Sequence, residues 1–325
     1  MHILVVGGAG YIGSVTVDQL IDAGHDVTVL DSLVAGHKGA LNAGAEFVQA
    51  DVRDEEALNR LFASHTFDAV INYGGYIIAP ESVRQPGRYF ANNIGGAICL
   101  LNAMVAYGVT RFVFSSSAAV YGEPETIPIP EDHPMRPINP YGETKATVER
   151  LLPLYEKEFG LRSVSLRCFN AAGASGRVGE DHRPETHLVP NVLQVALDER
   201  PAISLYGTDY PTRDGTCVRD YIHVSDLAAA HLLALDQTEK ASGVYNLGNG
   251  RGFTNREVIS AARLVTGVEI AVSEEPRRPG DPAELVASHD KARAELGWEP
   301  QHPDIEEIIE SAWRWHSEHP KGYAS

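Results

Sequence analysis

The stretch His2-Ile3-Leu4-Val5-Val6-Gly7-Gly8-Ala9-Gly10-Tyr11-Ile12-Gly13 decides the fold of this chain. Ile3 to Val6 is a short apolar run, read as a strand. Gly8-x-Gly10-x-x-Gly13 follows it directly and opens a helix predicted from Tyr11 to Ala23. Glycines there permit a tight turn and let the backbone approach a pyrophosphate at the helix N-terminus. A second strand, Asp26 to Leu30, ends at Asp31, the spacing of about 20 residues expected for the acidic partner of such a loop. A carboxylate at that point can accept hydrogen bonds from both adenosine ribose hydroxyls and repels a 2′-phosphate. NAD is therefore expected rather than NADP.

Outward from this unit the pattern repeats. Strands are predicted at Glu46 to Ala50, Asp68 to Asn72, Arg111 to Ser115 and Ser163 to Phe169. Helices are predicted at Glu55 to Ser64, Pro86 to Tyr107 and Tyr141 to Phe159. Alternating strands and helices imply an α/β fold with a doubly wound parallel Rossmann sheet. Ligands of such sheets sit beyond the carboxyl ends of the strands, where Gly7, Asp31, Asp51, Tyr73 and Ser117 all fall. Asp51 and Val52 are expected beside the adenine. After Asn170 the alternation breaks, and a smaller mixed α/β lobe is expected to bind substrate. The Rossmann domain is expected over 1–170, rejoined by about 216–249, with the lobe over 171–215 and 250–325. Val218 to Val224 and Val244 to Leu247 are both expected to extend the first sheet.

Tyr141-Gly142-Glu143-Thr144-Lys145 carries the chemistry. A tyrosine and a lysine four apart share one helix face. An ammonium beside a phenol favours the phenolate and makes a base usable near neutral pH. Ser115-Ser116-Ser117 ends the fifth strand. Serine, Tyr-x-x-x-Lys and an opening glycine loop together resemble the short-chain dehydrogenase/reductase superfamily. The resemblance implies that Ser117 binds a substrate hydroxyl, Tyr141 takes its proton, and Lys145 tunes Tyr141 and holds a nicotinamide ribose hydroxyl.

Longer blocks narrow this further. Ser115 to Gly122, Asn139 to Gly142, Arg167 to Ala174, Gly179 to Asp181, Gly207 to Thr212, Asp214 to Val224, Arg277 to Asp281 and Trp313 to Trp315 closely resemble the UDP-glucose 4-epimerase family, across essentially the whole chain. The resemblance implies a tightly held NAD and a UDP-sugar that is oxidised at C4, rotated as the 4-keto sugar and re-reduced. It assigns Gly7, Gly10, Tyr11, Ile12, Gly13, Asp31, Asp51, Val52, Tyr73, Asn92, Tyr141 and Lys145 to the cofactor. It assigns Ser117, Asn170, Leu188, Tyr206, Arg219, Arg278 and Asp281 to the substrate, the arginines on the diphosphate and Tyr206 against uracil. It also implies a homodimer.

The chain departs from the family pattern at Val6, Val15, Ile77 and His187, and over Asn72-Tyr73-Gly74-Gly75. Leu285 stands where a bulky tyrosine is usual in epimerases of narrow sugar range. The alternatives are an epimerase acting mainly on UDP-N-acetylglucosamine, with room left at Leu285, or a nucleotide-sugar 4,6-dehydratase. The dehydratase needs an Asp-Glu pair after the active serine, where this chain has Ala118 and Ala119.

Composition sets the remaining bounds. A net charge of −17 argues against nucleic acid, which calls for a basic face. Three cysteines without close spacing suggest free thiols in a reducing cytoplasm. No apolar run approaches the ~20 residues of a membrane span, and no signal peptide precedes the first strand. The thirteen histidines are scattered, and no metal-ligand cluster is expected.

Overall fold

The computed structural model describes residues 1–278 and 280–323. Its larger sheet has seven parallel strands. They are β1 (His2–Val6), β2 (Asp26–Asp31), β3 (Glu46–Gln49), β4 (Ala69–Asn72), β5 (Arg111–Ser117), β6 (Arg162–Cys168) and an edge strand, Gly243–Leu247. The spatial order is Gly243–Leu247, β6, β5, β4, β1, β2, β3. Winding reverses at β1, which pairs with β2 on one side and β4 on the other. The register sets Val6 beside both Leu30 and Asn72, and Ser117 beside Cys168. The carboxyl ends therefore form one rim, with a crevice at the reversal.

Alternating side chains give the sheet two cores. Ile3 and Val5 point to one face and pack with Val17, Leu20, Leu227, Ala230 and Ala234. Leu4 and Val6 point to the other, with Leu58, Leu61, Leu100, Met104 and Leu152. Both cores are apolar because helices cover both faces.

Two expectations are corrected. Val218–His223 does not extend the large sheet. It lies in a second sheet between Gly252–Thr254 and Glu284–Leu285, and also pairs with Asn170–Ala172. The place next to β6 is taken by Gly243–Leu247, hydrogen-bonded in parallel register. Chain leaving β6 therefore steps across to the second sheet. The second correction concerns the helix Pro86–Ala106, which is long and apolar enough to cross a membrane by length and composition. Here it is a core helix: Ala97, Leu100, Leu101 and Met104 pack against the sheet, and Asn93 is buried in hydrogen bonds.

The smaller lobe is held by helices Leu188–Ala196, Asn255–Thr266 and Ile305–Glu318, whose Val192, Leu193, Val258, Ile259, Ile308 and Ile309 share a core. Helix Asn255–Thr266 starts at a reciprocal capping box between Thr254 and Glu257 and stops at Gly267, φ 69°.

Candidate active site

The glycine loop closes on itself so tightly that side chains are excluded. Gly7 has φ +77°, and a Cβ there would lie 2.8 Å from the Gly74 nitrogen. A Cβ on Gly13 would lie 2.3 Å from the Gly7 carbonyl oxygen. Gly10 donates its N–H to the same carbonyl at 3.1 Å. The departure Asn72 to Gly75 has its reason here: Gly74 must pass Gly7, and a Cβ on Gly74 would crowd Val6 at 3.0 Å. Val6 and Gly74 fit as a pair. Tyr11 and Ile12 begin the helix Tyr11–Asp22, and the Tyr11 hydroxyl donates to the Gly173 carbonyl at 2.5 Å.

Asp31 ends β2 beside this loop. Its carboxylate accepts from Ala9 N–H at 3.0 Å and Leu33 N–H at 2.8 Å. Leu33 takes a left-handed φ of 59° at this turn. Burial raises the Asp31 pKa, and the two N–H donors pull it back. Asp51 is engaged by Arg53, at 2.9 and 2.5 Å, and Val52 is half-buried against the helix of Gly96. A side-chain-free cradle with a carboxylate at the next strand end fits a dinucleotide.

The helix Pro140–Phe159 presents Tyr141 and Lys145 to the same rim. Asn139 caps it by accepting from Gly142 N–H, and a Cβ on Gly142 would meet the Ala119 carbonyl at 2.4 Å. That approach brings the helix start against the Ser117 loop. Burial pushes the Tyr141 phenol up to about 12, while the neighbouring Ser117 hydroxyl lowers it. Burial pushes the Lys145 ammonium down to about 8. Lys145 Nζ donates to the Ser115 carbonyl at 2.7 Å and lies 4.9 Å from the Phe114 ring centre. Tyr73 hydrogen-bonds Thr16 through its hydroxyl at 2.6 Å, and its ring packs on His231 at 4.7 Å.

Asn92 donates to Asn93 Oδ1 at 3.0 Å. Asn93, which the motifs did not single out, does more. Its amide bonds Tyr76 N and O, at 2.8 and 3.0 Å, and the Thr144 hydroxyl at 3.0 Å. It thereby ties the segment after β4 to the catalytic helix. Glu149 was also missed, although it continues the Tyr141, Lys145 spacing by four more residues. It forms a buried pair with Arg167 at 2.7 Å, side chains 3% and 5% exposed, and accepts from Ser116 at 2.5 Å. Asp220 is fully buried and accepts from the N–H groups of Asn249, Gly250 and Ala287.

In the smaller lobe the structure gathers Tyr206, Arg219, Arg278 and Asp281. The Arg278 guanidinium lies 3.8 Å over the Tyr206 ring. Arg219 pairs with Asp281 and donates to the Val218 and Pro282 carbonyls. Asn170 starts a strand in register with Tyr221, and Leu188 opens the helix that His187 directly precedes. Leu285 packs on the cluster containing Ala118, Phe169 and Ala287, beside the Ser117 loop.

One loop contradicts the expectation of scattered histidines. Glu180, His182, Glu185 and His187 come together, each offering a ligand atom within 4.8 Å of the others. The alternation of Glu and His over 180–187 was legible as a possible donor set.

Fold and rim together define a dinucleotide-dependent enzyme of the extended short-chain type. Residues 3–248 match the NAD dependent epimerase/dehydratase family, and the chain belongs to it. It is 51% identical to the UDP-glucose 4-epimerase of Lacticaseibacillus casei, over 99% of both chains. The UDP-glucose 4-epimerase of Brucella ovis, crystallised with NAD, superposes with a TM-score of 0.93 at 42% identity, over 97% of this chain and 98% of that one. The enzyme of Bifidobacterium longum, crystallised with NAD+ and UDP, gives 0.96 at 38% identity, over 99% and 100%.

Proposed function

We propose that this chain interconverts UDP-galactose and UDP-glucose with a bound NAD that is not consumed. The reading is supported by the start of the Tyr141 helix, where Gly142 closes against the Ala119 carbonyl of the Ser117 loop. NAD, when bound, takes up and returns the hydrogen on C4 with its electron pair. The protein's residues do the rest. The Ser117 hydroxyl orients the sugar 4-hydroxyl. Tyr141 Oη takes its proton during oxidation and gives it back during reduction. Lys145 holds a ribose hydroxyl of the cofactor, and its ammonium favours the Tyr141 phenolate. Arg219 and Arg278 hold the diphosphate, Asp281 the uridine ribose, and Tyr206 stacks on uracil once Arg278 moves off its face. Asn170 and Leu188 line the sugar. The remote nucleotide keeps the 4-keto sugar in the site while it turns over.

Ala118 and Ala119 leave no carboxylates for removing water across C5 and C6, so a dehydratase is not favoured. Three free thiols fit a cytoplasmic setting. A homodimer would pack helices Pro86–Ala106 and Pro140–Phe159, which carry Phe90, Leu154 and Phe159 exposed. The test is purified protein given each sugar nucleotide separately. The same UDP-glucose to UDP-galactose ratio should be reached from both sides, and denatured protein should release dinucleotide. No conversion, or a 6-deoxy product, would sink the proposal.

A further inference from the structure

The loop between the strand Asn170–Ala172 and the helix Leu188–Ala196 holds a second constellation, bordering Tyr11 on the cofactor side and Leu188 on the substrate side. Glu180 and Glu185 are nearly sealed from solvent, with side chains 5% exposed. Two carboxylates brought together out of water need positive charge beside them. Among the described residues, neither has an arginine or lysine within ion-pair distance. Their only charged partners are two imidazoles. His187 Nδ1 lies 2.7 Å from Glu180 Oε1 and 3.0 Å from Glu185 Oε1. His182 Nδ1 lies 3.0 Å from the same Glu180 oxygen and 3.9 Å from Glu185 Oε2. Four residues thus gather, two imidazoles and two carboxylates, each with a donor atom within 4.8 Å of the others.

Their spacing matches a small ion. With metal–ligand distances of ~2.0–2.2 Å, tetrahedral donors stand roughly 3.3–3.5 Å apart; the four His–Glu distances run from 2.7 to 3.9 Å, and the whole donor set lies within 4.8 Å. Glu185 is oriented in advance, because its Oε1 accepts from the N–H groups of Thr186 and His187 at 2.6 and 2.7 Å. Such outer hydrogen bonds are what fix ligands at metal centres. Entry is open through a cavity of about 470 Å³ that Glu180, His182 and Glu185 line together with His316 and His319.

We propose that Glu180, His182, Glu185 and His187 bind one divalent transition-metal ion of the zinc type. Imidazole and carboxylate donors suit such an ion better than magnesium or calcium, which take oxygen. Four protein donors close the coordination shell, so the ion is structural. Its position gives it a task. The His182 ring lies edge-on to Tyr11 of the glycine-loop helix, and the Asp181 carbonyl bonds His37 Nε2 at 2.6 Å. At the other end His187 directly precedes the helix that begins at Leu188. The ion therefore pins one loop that spans from the cofactor cradle to the substrate lobe. The proposal does not depend on which sugar nucleotide the enzyme uses.

The full chain is stripped with chelator, incubated with zinc chloride, desalted and assayed for metal. About one zinc per chain is expected, with a rise in melting temperature on adding zinc. Glu180→Gln and His182→Ala should each weaken zinc binding by at least about 100-fold and abolish that rise. X-ray absorption at the zinc edge of the parent should show nitrogen and oxygen neighbours only. This last measurement decides the matter if the variants fold poorly. Negligible zinc after exposure, sulfur neighbours from a cysteine, or undiminished binding in well-folded variants would each overturn the proposal. The first result would mean that the two imidazoles neutralise the carboxylates with protons alone.

Discussion

Replacing Ser117 by alanine tests the base most finely. Burial holds the Tyr141 phenol at about 12, and the neighbouring Ser117 hydroxyl lowers it. A hydrogen bond from that hydroxyl to the phenolate contributes about 1.5–3 kcal/mol. At about 1.36 kcal/mol per unit, losing it raises the phenol by roughly one to two units. The base is active when deprotonated, so a higher pKa leaves less phenolate at any given pH below it. At pH 8 the loss is therefore about 10- to 150-fold in kcat, and the rising limb of the pH profile moves towards alkali by the same one to two units. KM for UDP-galactose should change little, because the nucleotide supplies the anchoring. Ser117 also accepts from Ala119 N–H at 3.2 Å, a turn contact whose loss costs about 1 kcal/mol of stability. A thermal melt separates that effect from chemistry, and Ser117→Thr, which keeps the hydroxyl, should recover most of the rate. An unshifted pH profile with a kcat within twofold of the parent would refute the pairing of Ser117 with Tyr141.

Tyr141→Phe deletes the base with almost no change in volume; turnover should fall by at least about 100-fold while UDP binding, followed by calorimetry, persists. Glu149→Gln leaves Arg167 buried without its anion; a loss of about 3–5 kcal/mol, seen as a melting temperature lower by on the order of 10 °C, is expected. Asp220→Asn turns an amide N–H₂ towards backbone donors that now meet carboxylate oxygens; denaturant titration should show a loss of about 1–3 kcal/mol. Leu285→Tyr fills space beside the Ser117 loop; turnover of UDP-N-acetylglucosamine should drop about 10- to 150-fold more than that of UDP-glucose, and equal losses would refute a pocket at that residue.

The large sheet was readable because its signals are local. Ile3 to Val6 is a short apolar run, and Gly7 to Gly13 can only be a tight turn into a helix. Tyr141 and Lys145 were readable for the same reason, through spacing on one helix. What escaped depends on pairing between distant segments. Nothing local in Val218 to His223 says that Asn170–Ala172 and Gly252–Thr254 claim its edges before the large sheet can. The burial of Tyr141 also escaped, because it is a property of the assembled rim. Asn93 looked like any helix polar residue until the fold brought Tyr76 and Thr144 to it. The Glu180 to His187 cluster is different: its pattern was visible, but only the folded loop makes its four side chains converge.

The central claim is that the hydrogen on C4 leaves and returns within the site, while Tyr141 handles only the proton on oxygen. Running the reaction from UDP-galactose in D₂O and recording the proton NMR spectrum of the UDP-glucose formed tests it directly. The C4–H signal should be retained in full, with no deuterium at that carbon. Deuterium at C4 would mean that the carbon exchanges with solvent, and would contradict the account.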